Sequence, residues 1–388
     1  MDLGVVDLDA DTTAFVDDVS HFLDQHLTPS LSARVLETGD SHDQGFLEAL
    51  GRRGWIVPTW PHAEGGAGLD AFSASLLEHL LFEREAPLVG RALTLLAAIA
   101  IQQYGTGEQK ADFLPRIASG EISLCLGYTE PDCGSDLAAV QTRAARQGSD
   151  WVINGSKMFT TNAHRCQYCF LLARTNPNAP KHKGLTTFLV PLDSPGVDIQ
   201  PILTMEERTN VVFYNDVRLS DYYRLGPIDA GWTTIRGPLD AEHKMQASSS
   251  KPVGVNSTNL YARHLERCFA HVIDWTLTTD LVSGQRPFDD PTVQARLGEI
   301  VLALEAARCT TGPMARVATA DSYIAGMTVL LDILGPAGSL SRGTTGCIAE
   351  GEVLRHHARS QISTIYGGST DIFRNIIATT ILGLPRST

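Results

Sequence analysis

The sequence predicts an α+β chain in which a middle β domain separates two helical domains. Apolar residues recur at three- and four-residue steps up to about residue 120, and this spacing is typical of amphipathic helices. Short, turn-bounded runs of β-branched and aromatic residues follow, and helical periodicity then returns to the end. The predicted domains are therefore an N-terminal helical domain at 1–120, a β sandwich or barrel at 121–232 and a C-terminal four-helix bundle at 233–388.

In the first domain, apolar spacing predicts a helix that begins after Asp11, whose carboxylate is a candidate N-cap. The same spacing predicts further helices at residues 45–56, 71–85 and 88–104. At 388 residues, the chain is long enough to support more than one hydrophobic core.

Turn-forming pairs divide the predicted β domain into short strands. Gly148-Ser149, Asn154-Gly155 and Ser194-Pro195-Gly196 have the composition of turns that join neighbouring strands. In the last domain, helices are predicted at residues 260–281, 292–320, 322–334 and 370–382. The polar, serine-rich segment 244–257 contains a proline and is predicted to be a loop.

Composition and charge exclude several classes of protein. A formal net charge of −13 argues against a nucleic-acid surface, which needs clustered lysine and arginine. The N-terminus lacks the pattern of a secretory or transit peptide, so a cytoplasmic location is expected. The apolar stretch 92–101 is too short to cross a bilayer, and no membrane helix is expected.

Cys166 and Cys169 have CxxC spacing without a second ligand pair, so we expect a structural role for them and no metal site.

Three segments carry a family resemblance: GYTEPDCGSD at 127–136, WVINGSKMFTTNA at 151–163 and TIYGGSTDIFRNIIA at 364–378. They resemble, in the same order, the TEPxxGSD signature, the W-x-I-N-G-x-K-x-x-I-T-N stretch and the closing flavin-domain motif of the acyl-CoA dehydrogenases. The resemblance covers essentially the whole chain. It implies the family's fold of N-terminal helices, β domain and helical bundle.

The resemblance implies FAD as the cofactor. An oxidised flavin presents N5, O4 and O2 as acceptors beside a flat apolar face, so it needs hydroxyl and amide donors and an aromatic wall. By resemblance, Thr129 and the backbone near Tyr128 contact the pyrimidine side, and Thr161 contacts N5. Ser135 contacts the pyrophosphate and is also a candidate substrate contact. Phe159 forms the aromatic wall, where relatives often carry tryptophan. For Phe159 and Tyr128, ordinary core packing is the alternative.

A second set of cofactor contacts is implied in the last domain. The segment DILGPAGS at 332–339 resembles the QxxGGxG stretch with which a neighbouring subunit in this family covers the flavin pyrophosphate. Gly335 and Gly338 are retained, whereas an acid and a proline replace the family's glutamine and one glycine. Arg286 resembles an arginine that reaches the diphosphate across a subunit interface, and an exposed loop arginine is the alternative.

The expected reaction requires a base for the α-proton and donors for the developing enolate oxygen. In many relatives the closing motif reads Tyr-Glu-Gly and the glutamate is the base, but here Gly367 replaces it and retains only a backbone N–H. A subset of the family carries its base on the helix after the β domain, in a pattern like L-D-x-E-R. This chain has LDAEH at 239–243, so Glu242 is the leading candidate base, with a solvated helix glutamate as the alternative. The predicted substrate contacts are Leu239, His243 and Tyr366.

The resemblance implies dehydrogenation of an acyl-CoA or acyl-carrier thioester, with electrons passed to an electron-transferring flavoprotein. The Tyr-Gly-Gly form resembles bacterial members that act on branched, steroid-derived or specialised thioesters. Two alternatives stay open: a non-catalytic or half-site subunit of a heteromeric assembly, and a biosynthetic relative with other flavin chemistry. A homo- or hetero-oligomer, with a dimer of dimers favoured, is implied by the resemblance alone.

Overall fold

The computed structural model describes residues 8–204, 208–247, 260–281 and 283–385, with the backbone alone at 242–247 and at 308. These residues divide between two compact units, of which the first ends at Ala241 and the second begins at Glu242. The predicted order of helices, sheet and helices is confirmed.

The N-terminal helices surround a core that includes Phe22, Leu50 and Leu77. Asp9 caps the first helix, because its carboxylate accepts a hydrogen bond from the Thr12 backbone N–H at 2.7 Å. The prediction of Asp11 as the cap is wrong, since that residue already lies within the first turn and a cap must precede the helical residues. The helices are α1 (Ala10–His26), α2 (Pro29–Thr38), α3 (Gln44–Arg52), α4 (Ala71–Glu83), α5 (Val89–Tyr104) and α6 (Gly107–Ala118).

The β domain is one sheet of eight strands in the order β6-β7-β3-β2-β4-β5-β8, with β1 paired in parallel to β4. Its buried residues form two clusters, one of which is shared with the N-terminal helices. The strands are β1 (Leu124–Gly127), β2 (Arg143–Gln147), β3 (Asp150–Lys157), β4 (Tyr168–Arg174), β5 (Leu185–Pro191), β6 (Val197–Leu203), β7 (Arg208–Ser220) and β8 (Arg224–Leu225).

One predicted turn is a β-bulge instead. Asn154 and Gly155 lie inside β3, where the register with β7 shifts between Ile153 and Gly155. A side chain at Gly155 would meet the Thr142 backbone at 2.7 Å, and the residue has φ +145°. Glycine is therefore required for close approach of the backbone rather than for a hairpin. The turn at Gly148-Ser149 joins β2 to β3 as predicted.

Helices form the last part of the chain. The predicted helix 292–320 is wrong, because one helix ends at Cys309 and the next begins at Gly312, which has φ +61°. The predicted loop 244–257 is wrong for its first four residues, which continue α7, and residues 248–257 lie outside the described residues. The helices are α7 (Gly231–Ala247), α8 (Leu260–Thr278), α9 (Pro291–Cys309), α10 (Gly312–Leu334), α11 (Glu352–Ser360) and α12 (Thr370–Ile376), which a π-helical turn, Ile377–Ile381, follows.

Helix α10 runs through the core of the C-terminal unit. Within the described ranges it is the one helix that is long and apolar enough to cross a membrane, with a mean hydropathy of 1.4 over 18 residues. Its inner face, however, buries Arg316, Tyr323, Met327 and Leu330 in the bundle. We interpret α10 as a core helix, because apolar residues on all sides are also typical of a helix at the centre of a protein.

A polar network lies inside this bundle. The Tyr323 hydroxyl is hydrogen-bonded to His356 Nδ1 at 2.8 Å, and Glu352 pairs with Arg267 at 2.8 Å. Cys268 lies with Glu352 and His356 in a group whose ligand-type atoms are all within 4.8 Å of one another. Because the Arg267 guanidinium already neutralises the carboxylate, we interpret this group as a structural hydrogen-bond network.

This network predicts that the C-terminal unit loses stability in acid. Burial lowers the pKa of His356 to about 4, although its hydrogen bond to Glu352 opposes the shift. Between pH 6.5 and 4 the unfolded chain therefore binds a proton that the folded chain lacks. Stability that is fully present above pH 6.5 is lost through that window, by on the order of 3 kcal/mol. The free energy of unfolding can be measured with urea from pH 7.5 to 4. It should fall less steeply with decreasing pH in His356→Gln than in the parent. Equal slopes would contradict this assignment.

Candidate functional site

The ends of β1 and β3 bring the two first motifs together. Thr129 follows β1, and its carbonyl accepts a hydrogen bond from the Met158 backbone N–H at 2.9 Å, just after β3. The Tyr128 ring is buried against Phe170, with ring centroids 5.8 Å apart. Core packing therefore accounts for the Tyr128 ring, and only its backbone is a candidate contact for a ligand.

A tight turn after β3 carries Phe159 and Thr161. Phe159 and Asn162 have φ +54° and +61°, in the left-handed region that non-glycine residues rarely occupy. The Phe159 side chain is 56% exposed although the following residue, Thr160, is fully buried. An exposed aromatic ring on strained backbone is typical of a binding surface, because the surrounding fold must hold it in place.

Asn210 and Asp40 clamp this turn from two sides. The Asn210 backbone carbonyl accepts a hydrogen bond from the Thr160 N–H at 2.9 Å. The Asn210 side-chain amide donates to the Thr160 carbonyl at 3.0 Å. Asp40, from the segment between α2 and α3, accepts a hydrogen bond from Arg165 Nε at 2.8 Å. Burial opposes ionisation of Asp40, but hydrogen bonds from His164 and Arg165 outweigh it and hold the pKa of this carboxyl well below its usual range. Sequence reasoning missed Asp40, which lies more than a hundred residues from the turn it supports.

A buried ion pair also supports the first two motifs. Lys157, the last residue of β3, is fully buried, and its ammonium donates to Glu130 Oε1 at 2.7 Å and to the Tyr128 carbonyl at 3.1 Å. Glu130 also accepts hydrogen bonds from the backbone N–H groups of Gln141 and Thr142, at 2.6 and 2.8 Å. Lys157 and Glu130 both belong to the motifs that were recognised in the sequence, but no role was predicted for either.

The donor set of this region fits a flavin ring. The exposed Phe159 ring offers a flat apolar face, and the half-buried Thr129 and Thr161 can each donate through a hydroxyl. The Thr161 hydroxyl lies 3.4 Å from that of Thr209, at the edge of hydrogen-bond distance, so it can turn towards a ligand. Ser135 lies on an exposed loop, next to the ion pair of Asp136 with Lys181.

In the C-terminal unit, Arg316 organises the Tyr-Gly-Gly loop. Its guanidinium Nη2 donates to the carbonyls of Ser363, Tyr366 and Gly368 at 2.7, 3.0 and 3.3 Å. Gly367 and Gly368 have φ +64° and +87°. Glycine fits this loop because side chains are strained there. Tyr366 is 37% exposed.

The other predicted cofactor contacts of this unit are each held by local structure. Arg286 pairs with Asp289 at 3.0 Å within its own turn, which fits the alternative of a loop arginine. Gly335 ends α10 with φ +55°, and Gly338 is buried in the following turn. Asp332, the departure from the family's glutamine, pairs with Arg296 at 2.6 Å, so its charge is compensated within the chain.

The candidate base motif lies on α7. Leu239 is partly buried against the core that the N-terminal helices share with the sheet. The backbone of Glu242 and His243 is helical, and their side chains lie outside the described residues. The roles predicted for these two residues therefore stay predictions.

Comparison with known families assigns all three parts of the chain consistently. Residues 9–121, 125–217 and 258–382 match the models described as acyl-CoA dehydrogenase N-terminal domain, middle domain and C-terminal domain. The chain is 33% identical over 368 residues to acyl-CoA dehydrogenase FadE26 of Mycobacterium tuberculosis, and the match covers 88% of each protein.

Two solved structures have the same fold over nearly the whole length. One is the Tcur3481-Tcur3483 steroid ACAD, with a TM-score of 0.84 and 28% identity over 99% of this chain and 100% of that chain. The other is the ChsE4-ChsE5 complex from Mycobacterium tuberculosis, with a TM-score of 0.80 and 27% identity over 99% of this chain and 100% of that chain.

Proposed function

Because the chain belongs to the acyl-CoA dehydrogenase family of FAD-dependent oxidoreductases, we propose that it catalyses the α,β-dehydrogenation of an acyl thioester. The observation that carries this proposal is the exposed Phe159 ring, held on strained backbone two residues before Thr161. Such a surface suits the flat ring of FAD, which supplies the two-electron oxidant when it is bound.

In this proposal the chain's own residues bind the thioester and move one proton. Glu242 takes the α-proton, and the Gly367 N–H donates to the thioester oxygen as negative charge develops on it. The substrate contacts are Ser135, Leu239, His243 and Tyr366. Ser135 also contacts the phosphates of FAD, whereas Arg286, Gly335 and Gly338 contact the phosphates of the FAD that a neighbouring subunit binds. The support is the resemblance of the motifs, together with the loop geometry that Arg316 imposes around Gly367.

We propose a steroid-derived acyl-CoA as the substrate and a heteromeric assembly as the working form. A steroid enzyme and a two-chain complex are among the similar structures, at 28% and 27% identity. The departures from the family's pattern at Asp332, Pro336, Gly367 and His243 support the heteromeric assembly, because a homologous partner then supplies the contacts that these positions do not make. Electrons then pass to an electron-transferring flavoprotein, and we propose a cytoplasmic location for the protein.

The test is purification of the chain alone and with a co-expressed homologous partner. We expect a yellow protein with bound FAD that reduces an artificial acceptor when given a steroid side-chain CoA thioester. Activity only in the two-chain form supports the heteromeric assembly, whereas full activity alone contradicts it. Rapid oxygen consumption without the acceptor would instead favour an oxidase, and absence of FAD from both forms would overturn the proposal.

Phe159→Ala is expected to weaken FAD binding by about tenfold to a hundredfold. Stacking of a flat ring on an aromatic side chain contributes about 1–3 kcal/mol, and alanine removes it. The dissociation constant can be measured by titrating the apoprotein with FAD and following flavin fluorescence. Phe213→Ala removes an exposed aromatic residue from β7 and serves as the control. Equal FAD affinity in the parent and in Phe159→Ala would contradict the assignment.

A further inference from the structure

The Lys157 ammonium reaches a peptide group in the predicted flavin site. The Tyr128 carbonyl, 3.1 Å from Lys157 Nζ, shares its peptide unit with the Thr129 N–H. This peptide is the one whose backbone is predicted to contact the pyrimidine side of the ring. A cation on the carbonyl oxygen polarises a peptide unit and makes its N–H a stronger donor, and the effect is larger in a buried environment.

The surroundings hold this ammonium in place. Lys157 is fully buried, and burial lowers its pKa although the Glu130 carboxylate opposes the shift. Burial raises the pKa of Glu130, but the charge of Lys157 outweighs this and lowers it. With two backbone N–H groups also donating to Glu130, the carboxylate is satisfied without help from a ligand. The carboxylate fixes the ammonium, and the ammonium is the group that contacts the Tyr128–Thr129 peptide.

We propose that Lys157 is a positioning residue that raises the reduction potential of bound FAD by polarising the Tyr128–Thr129 peptide. The inference rests on the proposed function for the presence of FAD at this site. Reduced flavin carries more negative charge at its pyrimidine edge than oxidised flavin, so a stronger donor there favours the reduced form. Glu130 acts on the same peptide only by holding the lysine.

The two members of the pair give the proposal different, measurable pH profiles. Lys157→Met removes the cation, so we expect about tenfold less reduced FAD at the same applied potential at every pH, the effect of losing one hydrogen bond to a charged group. Glu130→Gln keeps an oxygen beside the lysine but removes its counter-charge, so the pKa of the buried ammonium falls further and the potential should fall below that of the parent as the lysine loses its proton with rising pH. If the pair were only a clamp, Glu130→Gln would lower the potential equally at every pH.

The experiment is a midpoint-potential titration of the FAD-loaded enzyme against reference dyes, in its assembled form and without thioester. The potential is measured from pH 6 to 9, each variant against the parent at the same pH. A lower potential in Lys157→Met together with a Glu130→Gln potential that falls relative to the parent as pH rises supports the proposal. A Glu130→Gln potential that differs from the parent equally at every pH, or an unchanged potential in Lys157→Met, overturns it. If Lys157→Met does not retain FAD, the pH profile of Glu130→Gln decides, and Lys157→Arg should restore FAD and potential. Because no thioester is present, failure of the dehydrogenase assay leaves this result unaffected.

Discussion

Glu242→Gln is expected to reduce turnover of the acyl thioester by about 10³-fold. Glutamine keeps the size of the side chain but cannot accept the α-proton, and a positioned general base contributes about 10²–10⁴-fold. The Gly367 N–H and the FAD site remain, so the variant should bind FAD and thioester with parental affinity. The measurement is kcat for acceptor reduction, together with FAD content and the dissociation constant of the thioester.

Asp240→Asn is the matched control for this variant. It makes the same chemical change two residues earlier on α7, at an exposed position, and should leave kcat unchanged. If Glu242→Gln keeps the parental kcat, Glu242 is a solvated helix glutamate and the base lies elsewhere. If kcat falls equally in both variants, the loss comes from disturbance of α7 and not from a lost base.

The sequence predicted the order of domains well because periodicity is a local property. Helical patterns extend over about 11 to 18 residues and strand patterns over about 4 to 8, so α5 and the strands of the middle sheet could be located from them. Boundaries were less predictable where a single backbone angle decides them. The break between α9 and α10 depends on Gly312 with φ +61°, and apolar spacing continues across it.

Residues that act through long-range contacts could not be predicted in the same way. Asn154-Gly155 has the composition of a hairpin turn, but its role in the bulge depends on β7 and on close approach to Thr142. Arg316 lies some fifty residues from the loop whose carbonyls it binds, and nothing in its local sequence indicates the contact. Lys157 lies inside a recognised motif, so its position was known and only its partners were missing.

Arg316→Met is expected to lower kcat by about 10²–10³-fold with little change in KM. Methionine keeps an apolar side chain in the core but donates nothing to the carbonyls of Tyr366 and Gly368. The loop can then relax and carry the Gly367 N–H away from the thioester oxygen. Loss of one such donor costs about 10²–10³ in kcat, and KM is spared because the interaction strengthens in the transition state.

The conservative variant separates this positioning role from simple loss of structure. Arg316→Lys retains a buried cation with three donors but lacks the planar guanidinium, so it should recover part of the kcat that Arg316→Met loses. Arg342→Met removes an exposed arginine of the same unit and should change neither kcat nor KM. A fall in FAD content and melting temperature in step with kcat in Arg316→Met would mean that Arg316 supports the bundle as a whole. With FAD content and melting temperature unchanged, a selective loss of kcat assigns to Arg316 the orientation of the Gly367 N–H, the donor that this chain keeps where many relatives carry a glutamate.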